Sequence, residues 1–231
     1  MKTNRLEDRE MLFGEKCLAA GTGSLEQALA LGWKEKWLLD GDPAGLGADA
    51  LVCLGEYRCG HLEHPYSRAL MEFKDNGGRF GREADGRRRH AAFFARCLAA
   101  VLIAAPWPDS AVLAAIVPPK LNQPPEDYHL HDLTLEVDGL LRPAGVSGRV
   151  SLAPGLLAFR NEIPPLKSLA LSCREEVIHR GIICGDELNG RGVVLLDDII
   201  ASGATARECV RALRESGAGF VGVAALARRV E

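Results

Sequence analysis

The segment Gly192–Arg207, GVVLLDDIIASGATAR, constrains this chain more than any other. Val193 to Leu196 form an apolar run with no polar alternation. That pattern suits a parallel strand covered by helices on both faces. Asp197 and Asp198 follow where the strand is expected to end. A loop of small residues comes next, Ala201-Ser202-Gly203-Ala204-Thr205, and a helix is expected over Thr205–Ser216. In it Cys209, Val210 and Leu213 turn inward and Gly217 is the stop. A chain with this strand–acid–loop–helix order is read as an open α/β sheet, whose ligands sit beyond the carboxyl ends of its strands.

The same segment carries a chemical implication. The loop offers backbone N–H groups and hydroxyls at a helix N-terminus, where the positive end of the dipole favours an anion. Small side chains let that backbone approach closely, so a phosphate fits. Two carboxylates beside a phosphate need a reason. Sugar hydroxyls donating to them supply one, and bound Mg²⁺ supplies another. The segment therefore reads as a ribose 5-phosphate cradle, with hydroxyls on Asp197 and Asp198 and phosphate on Ala201–Thr205. The bland alternative is a surface acid pair ahead of an ordinary helix cap.

The rest of the chain alternates strand and helix signals. Ser24 is placed to cap a short helix that stops at Gly32. Ala50–Tyr57 is a candidate strand. His64 or Pro65 opens a helix with Tyr66, Leu70 and Phe73 on one face, closed by Asn76-Gly77-Gly78. A longer helix is expected over Arg88–Ala105, ended by Pro106 and Pro108. Ser110–Val117 is a buried strand that Pro118-Pro119 cannot continue. Asp127–Leu141 is expected to be helical and Val221–Leu226 to be a last strand. This alternation indicates an α/β; Rossmann-like fold with a mostly parallel sheet flanked by helices. A division at residue 60 is expected, with 1–60 as an N-terminal hood or accessory region and 61–231 as the main domain.

Composition narrows the function classes. The chain has 231 residues, 47% hydrophobic and 26% charged, enough to bury a core without staples, so disorder and disulfide-dense mini-proteins are excluded. The formal charge of −3 disfavours a strongly basic nucleic-acid binder, while a local basic patch leaves a nucleic-acid partner open. Seven scattered cysteines without a CxxC pair, and no apolar signal segment at the N-terminus, point to a reduced, cytoplasmic protein. Cys97–Trp107 is too short to span a bilayer, so no membrane partner is expected.

Leu195 to Thr205, LLDDIIASGAT, resembles the phosphoribosyl pyrophosphate (PRPP) motif of type I phosphoribosyltransferases: an apolar strand, two acids, two apolar residues, then a Thr/Ser-Gly-small-Thr loop. Ile116-Val117-Pro118-Pro119-Lys120 is similar to the Val-Pro-Val-Pro segment of the ComF subfamily. Glu56–Lys74, Leu166–Arg180 and Leu188–Arg191 look like further ComF stretches. The resemblance runs patchily from Tyr57 to Leu226. It implies the type I phosphoribosyltransferase fold, binding of PRPP or a ribose 5-phosphate-containing nucleotide with Mg²⁺, and phosphoribosyl transfer with release of pyrophosphate. It assigns Asp197 and Asp198 to the ribose hydroxyls, Ala201, Ser202, Gly203, Ala204 and Thr205 to the 5-phosphate, and Pro118, Pro119 and Lys120 to the pyrophosphate. Lys74 and Arg79 are further cation candidates.

The chain also departs from that pattern. LNQPPEDYHLHD stands where ComF proteins carry a basic stretch and Gly-Phe-Asn, and the four-cysteine zinc module is absent. These departures raise a second reading: a non-catalytic sensor of PRPP or nucleotides, or a partner-controlled effector in competence, DNA uptake or antiviral defence, with a protein partner or a homodimer left open.

Four weaker patterns complete the reading. Cys59, His61 and His64 could hold zinc or be a strand end and a helix cap. Arg79, Arg82, Arg87, Arg88, Arg89 and His90 form a basic cluster that could meet pyrophosphate or nucleic acid, or merely solvent. Arg174, His179 and Arg180 lie where related enzymes have a loop over the active site. Trp33 and Trp37 read as helix core contacts.

Overall fold

The computed structural model describes residues 11–32, 38–39, 45–61, 63–74, 84–108, 112–121, 123–124, 127–146, 148–160 and 176–230, with backbone alone at 38–39 and 84–88. In chain order the elements are α1 (Phe13–Ala19), α2 (Leu25–Ala30), β1 (Leu38–Leu39), β2 (Ala50–Cys53), β3 (Glu56–Arg58), α3 (Pro65–Lys74), α4 (Ala84–Ala104) and β4 (Val112–Ile116). They continue with α5 (His129–Leu141), β5 (Val150–Ala153), β6 (Leu157–Phe159), β7 (Ile182–Cys184), β8 (Gly192–Ile200), α6 (Ala204–Glu215) and β9 (Phe220–Val230).

The central sheet has the order β1-β2-β9-β8-β4-β5, with β3 also paired to β9. All of its pairings are parallel except β1 with β2. β6 and β7 form a separate antiparallel pair. This is the α/β, mostly parallel arrangement expected from the alternation of elements. Val193, Val194, Leu195 and Leu196 have no exposed surface, as a strand covered on both faces requires.

The helices follow their sequence signals closely. Ser24 accepts a hydrogen bond from the Gln27 N–H and caps α2. Pro65 occupies the first position of α3, and Tyr66, Ala69, Leu70 and Phe73 line its buried face. α4 is the hub of one helical layer, packing against α1, α2, α3, α5 and β9. α6 packs instead against β7, β8 and β9. Its end is set by Gly217 at φ +85°, where the Ala218 N–H reaches the Leu213 carbonyl. Among the described residues no helix is long and apolar enough to cross a membrane.

Two backbone approaches depend on glycine. A Cβ at Gly55 would lie 2.2 Å from the Tyr66 ring, and one at Gly222 would lie 2.7 Å from Trp107. Both aromatic side chains are buried, so neither ring has free space to yield.

Local boundaries are corrected: the long helix spans Ala84–Ala104 and the last strand Phe220–Val230. The strand does not end at Leu196: β8 runs to Ile200, and both acids lie within it. The cause is β9, long enough to pair with β8 from Gly192↔Phe220 to Ile200↔Arg228. The helix after it likewise begins at Ala204, one residue ahead of Thr205. Asn76-Gly77-Gly78, Leu166–Ser172, Trp33 and Trp37 lie outside the described residues, as do Arg79, Arg82 and Arg174.

Candidate functional site

The site exists because β4 stops before β8 does. β4 pairs with β8 from Val112↔Gly192 to Ile116↔Leu196, and one further bond joins the Val117 N–H to the Leu196 carbonyl at 3.0 Å. Pro118 and Pro119 have no N–H and cannot extend that ladder. Beyond Leu196, β8 therefore keeps β9 on one side and opens on the other. A cavity of about 650 Å³ occupies this opening. Asp197, Asp198, the 201–205 loop, Pro118, Pro119, Lys120 and Lys74 all line it. The structure thus brings together the expected acids, the expected loop and the proline segment at the carboxyl ends of the parallel strands.

The two acids sit in different surroundings. Asp197 is 8% exposed, and its Oδ1 accepts the Asp198 N–H at 2.7 Å. Burial, aided by the charge of Asp198, pushes its carboxyl up to about 7. Burial alone would raise Asp198 too. The Lys74 charge and the His129 hydrogen bond outweigh it and hold Asp198 well below the usual carboxylate range. Lys74 Nζ and His129 Nε2 each lie 2.6 Å from Asp198 Oδ2, and the Ile199 N–H donates to Oδ1 at 2.5 Å. Since an ionised carboxylate only accepts, His129 carries its proton on Nε2.

His129 is the residue that the sequence reading missed. It is the first residue of α5, and its ring is held edge-on by Phe73 and Tyr128, with centroids 5.2 Å from each. The Tyr128 hydroxyl donates to the Val117 carbonyl at 2.8 Å, tying the start of α5 to the proline turn. The available signal was its place: an aromatic-His pair shortly after the Pro-Pro segment.

The loop has the geometry of an anion cradle. Gly203 precedes α6 at φ +75°, a left-handed conformation that favours glycine. α6 has no side-chain cap at its N-terminus. Ser202 Oγ only weakly engages the Ala204 N–H, at 3.4 Å. The amides of Thr205 and Ala206 lie in the first helical turn and have no intrahelical acceptor. Lys120 is exposed and lines the same cavity, with no ion pair among the described residues. Arg229 and Tyr57 line it as well.

The acids do not fit a directly coordinated Mg²⁺. Hydrogen bonds engage both oxygens of Asp198 and Oδ1 of Asp197. Asp198 Oδ2 is filled by Lys74 and His129, each Oδ1 keeps one lone pair beside its backbone donor, and Asp197 Oδ2 belongs to a carboxyl that burial pushes up to about 7. Mg²⁺ needs an octahedron of oxygens with an ionised carboxylate among them. Among the described residues no group of three or more His, Cys, Asp or Glu side chains is placed to hold a metal ion.

The weaker candidates fall elsewhere. His61 pairs with Glu63 at 2.7 Å, and His64 Nδ1 lies 3.1 Å from the Ser67 hydroxyl at the start of α3. His90 pairs with Glu72 and ties α4 to α3. His179 and Arg180 are exposed and do not line the cavity.

No family model matches the chain, and no curated protein matches it. Among solved structures it is similar to a hypoxanthine phosphoribosyltransferase from Staphylococcus aureus, at 12% identity and a TM-score of 0.35. The match covers 61% of this chain and 66% of that one, just under two thirds of its length. A likeness this slight carries no weight for function.

Proposed function

We propose that the cavity binds the ribose 5-phosphate part of PRPP or of a nucleotide, and that the protein is a phosphoribosyltransferase. One observation carries this reading: the acids of β8 and the uncapped N-terminus of α6 face the same cavity, with Asp198 six residues before Ala204 along the chain. Asp197 would accept a ring hydroxyl on Oδ2, and the 201–206 backbone would hold the 5-phosphate. In the transfer reaction the bond from the anomeric carbon to pyrophosphate breaks with its electron pair on the departing oxygen, and a bond to the acceptor nucleophile forms. The site would contribute mainly position and charge stabilisation. Pro118, Pro119 and Lys120 would border the pyrophosphate. Magnesium brought in with PRPP would sit on the pyrophosphate oxygens, away from the acids. The region before residue 60, which reaches the cavity through Tyr57, would meet the acceptor.

A specific observation favours the second reading, a PRPP or nucleotide sensor. The Lys74 ammonium is already paired with Asp198, which leaves Lys120 and Arg229, among the described residues lining the cavity, to meet a departing pyrophosphate. Calorimetric titration separates the two. Tighter binding of PRPP than of ribose 5-phosphate supports the transferase. Equal binding supports a sensor. Binding of neither ligand overturns both readings.

A further inference from the structure

Lys74 is the last residue of α3, next to the fully buried Phe73. Its side chain is 19% exposed, and its ammonium lies 2.6 Å from an Asp198 carboxylate that is 16% exposed. His129 donates to the same oxygen at 2.6 Å. The positive charge that an acid pair needs before a phosphate can approach is therefore supplied from within the chain. A divalent ion placed on Asp198 would displace that ammonium and leave it in a partly dry cavity without its partner, a costly exchange. We infer that Lys74 is the built-in counter-cation of the acid pair, so that the cavity takes its sugar phosphate without a divalent metal on the acids. This rests on the sugar-phosphate reading above for its ligand, but not for its cation.

Two measurements test it. The first uses Mn²⁺ alone, followed by electron paramagnetic resonance of the free ion, on the full chain and on Lys74→Met. The parent is expected to leave millimolar Mn²⁺ free, and Lys74→Met to bind it. The second titrates ribose 5-phosphate with EDTA or with Mg²⁺. Parent affinity is expected to stay within about twofold between the two buffers. Lys74→Met should lose about tenfold or more in EDTA, the scale of a broken partly buried pair, and recover with Mg²⁺.

Mn²⁺ binding by the parent, or parent sugar-phosphate binding that vanishes in EDTA, overturns the inference. Both of these readouts are made on unaltered protein, so a folding defect in the variant does not blur them. If ribose 5-phosphate binds in no buffer while only Lys74→Met takes up Mn²⁺, the ligand reading falls and the internal cation stands. If the variant folds, shown by an unchanged circular dichroism spectrum, and still takes up no Mn²⁺, the internal cation falls.

Discussion

Asp197→Asn is expected to stabilise the protein while removing ligand binding. The Asp197 carboxyl titrates at about 7 in the folded chain against an ordinary 3.8, because burial and the neighbouring Asp198 charge oppose its ionisation. The folded state therefore holds a proton that the unfolded state has lost across that interval. Stability falls as pH rises from about 4 to about 7, and the loss is complete above that. A displacement of that size corresponds to roughly 4 kcal/mol. Asparagine cannot ionise and keeps an oxygen for the Asp198 N–H. Asp198 works in the opposite sense. Its depressed carboxyl adds stability above about pH 4 that is lost only at lower pH, so it does not distort the comparison. Urea unfolding of both proteins, read by circular dichroism from about pH 4 to about pH 9, gives the difference directly. It should be smallest near pH 4, grow by about 1–4 kcal/mol in favour of Asn, and level off above pH 7. Parallel pH profiles, or an Asn variant less stable at pH 8, would show that Asp197 is not held protonated by its burial.

Other perturbations test the frame around the site. Tyr128→Phe removes the hydroxyl that donates to the Val117 carbonyl at 2.8 Å. It should cost about 1–2 kcal/mol in urea unfolding and weaken ribose 5-phosphate binding by loosening the proline turn. Gly55→Ala places a methyl 2.2 Å from the buried Tyr66 ring, whose hydroxyl is fixed to the Leu226 carbonyl at 2.8 Å. It should cost about 1–3 kcal/mol, and a much smaller penalty in a Tyr66→Leu background would confirm the clash. Gly203→Ala puts a Cβ at φ +75° and should cost about 1–2 kcal/mol, with a larger loss in phosphate affinity than in stability.

Local signals were the legible part of the fold. The 3–4 residue spacing of Tyr66, Leu70 and Phe73, the Ser24 cap and the unbroken apolar run before Asp197 each fix an element through neighbours in sequence. The acids and the 201–205 loop could be placed for the same reason, since strand, loop and helix are contiguous there. Long-range pairing was not legible. The extension of β8 to Ile200 depends on β9, and no residue within 192–200 announces it. His129 lies 69 residues from Asp198, and its place after the Pro-Pro segment does not name its partner; only the folded sheet brings the two together. Lys74 shows the difference most plainly. The sequence offered it as a cation for pyrophosphate, and folding gives that cation to Asp198 instead.

A crystal structure with ribose 5-phosphate tests the central claim most directly. The phosphate is expected on the 201–206 amides, with a ring hydroxyl within hydrogen-bond distance of Asp197 Oδ2. A sugar phosphate held with its phosphate at Lys120, or outside the cavity between Pro118 and Asp198, would contradict it.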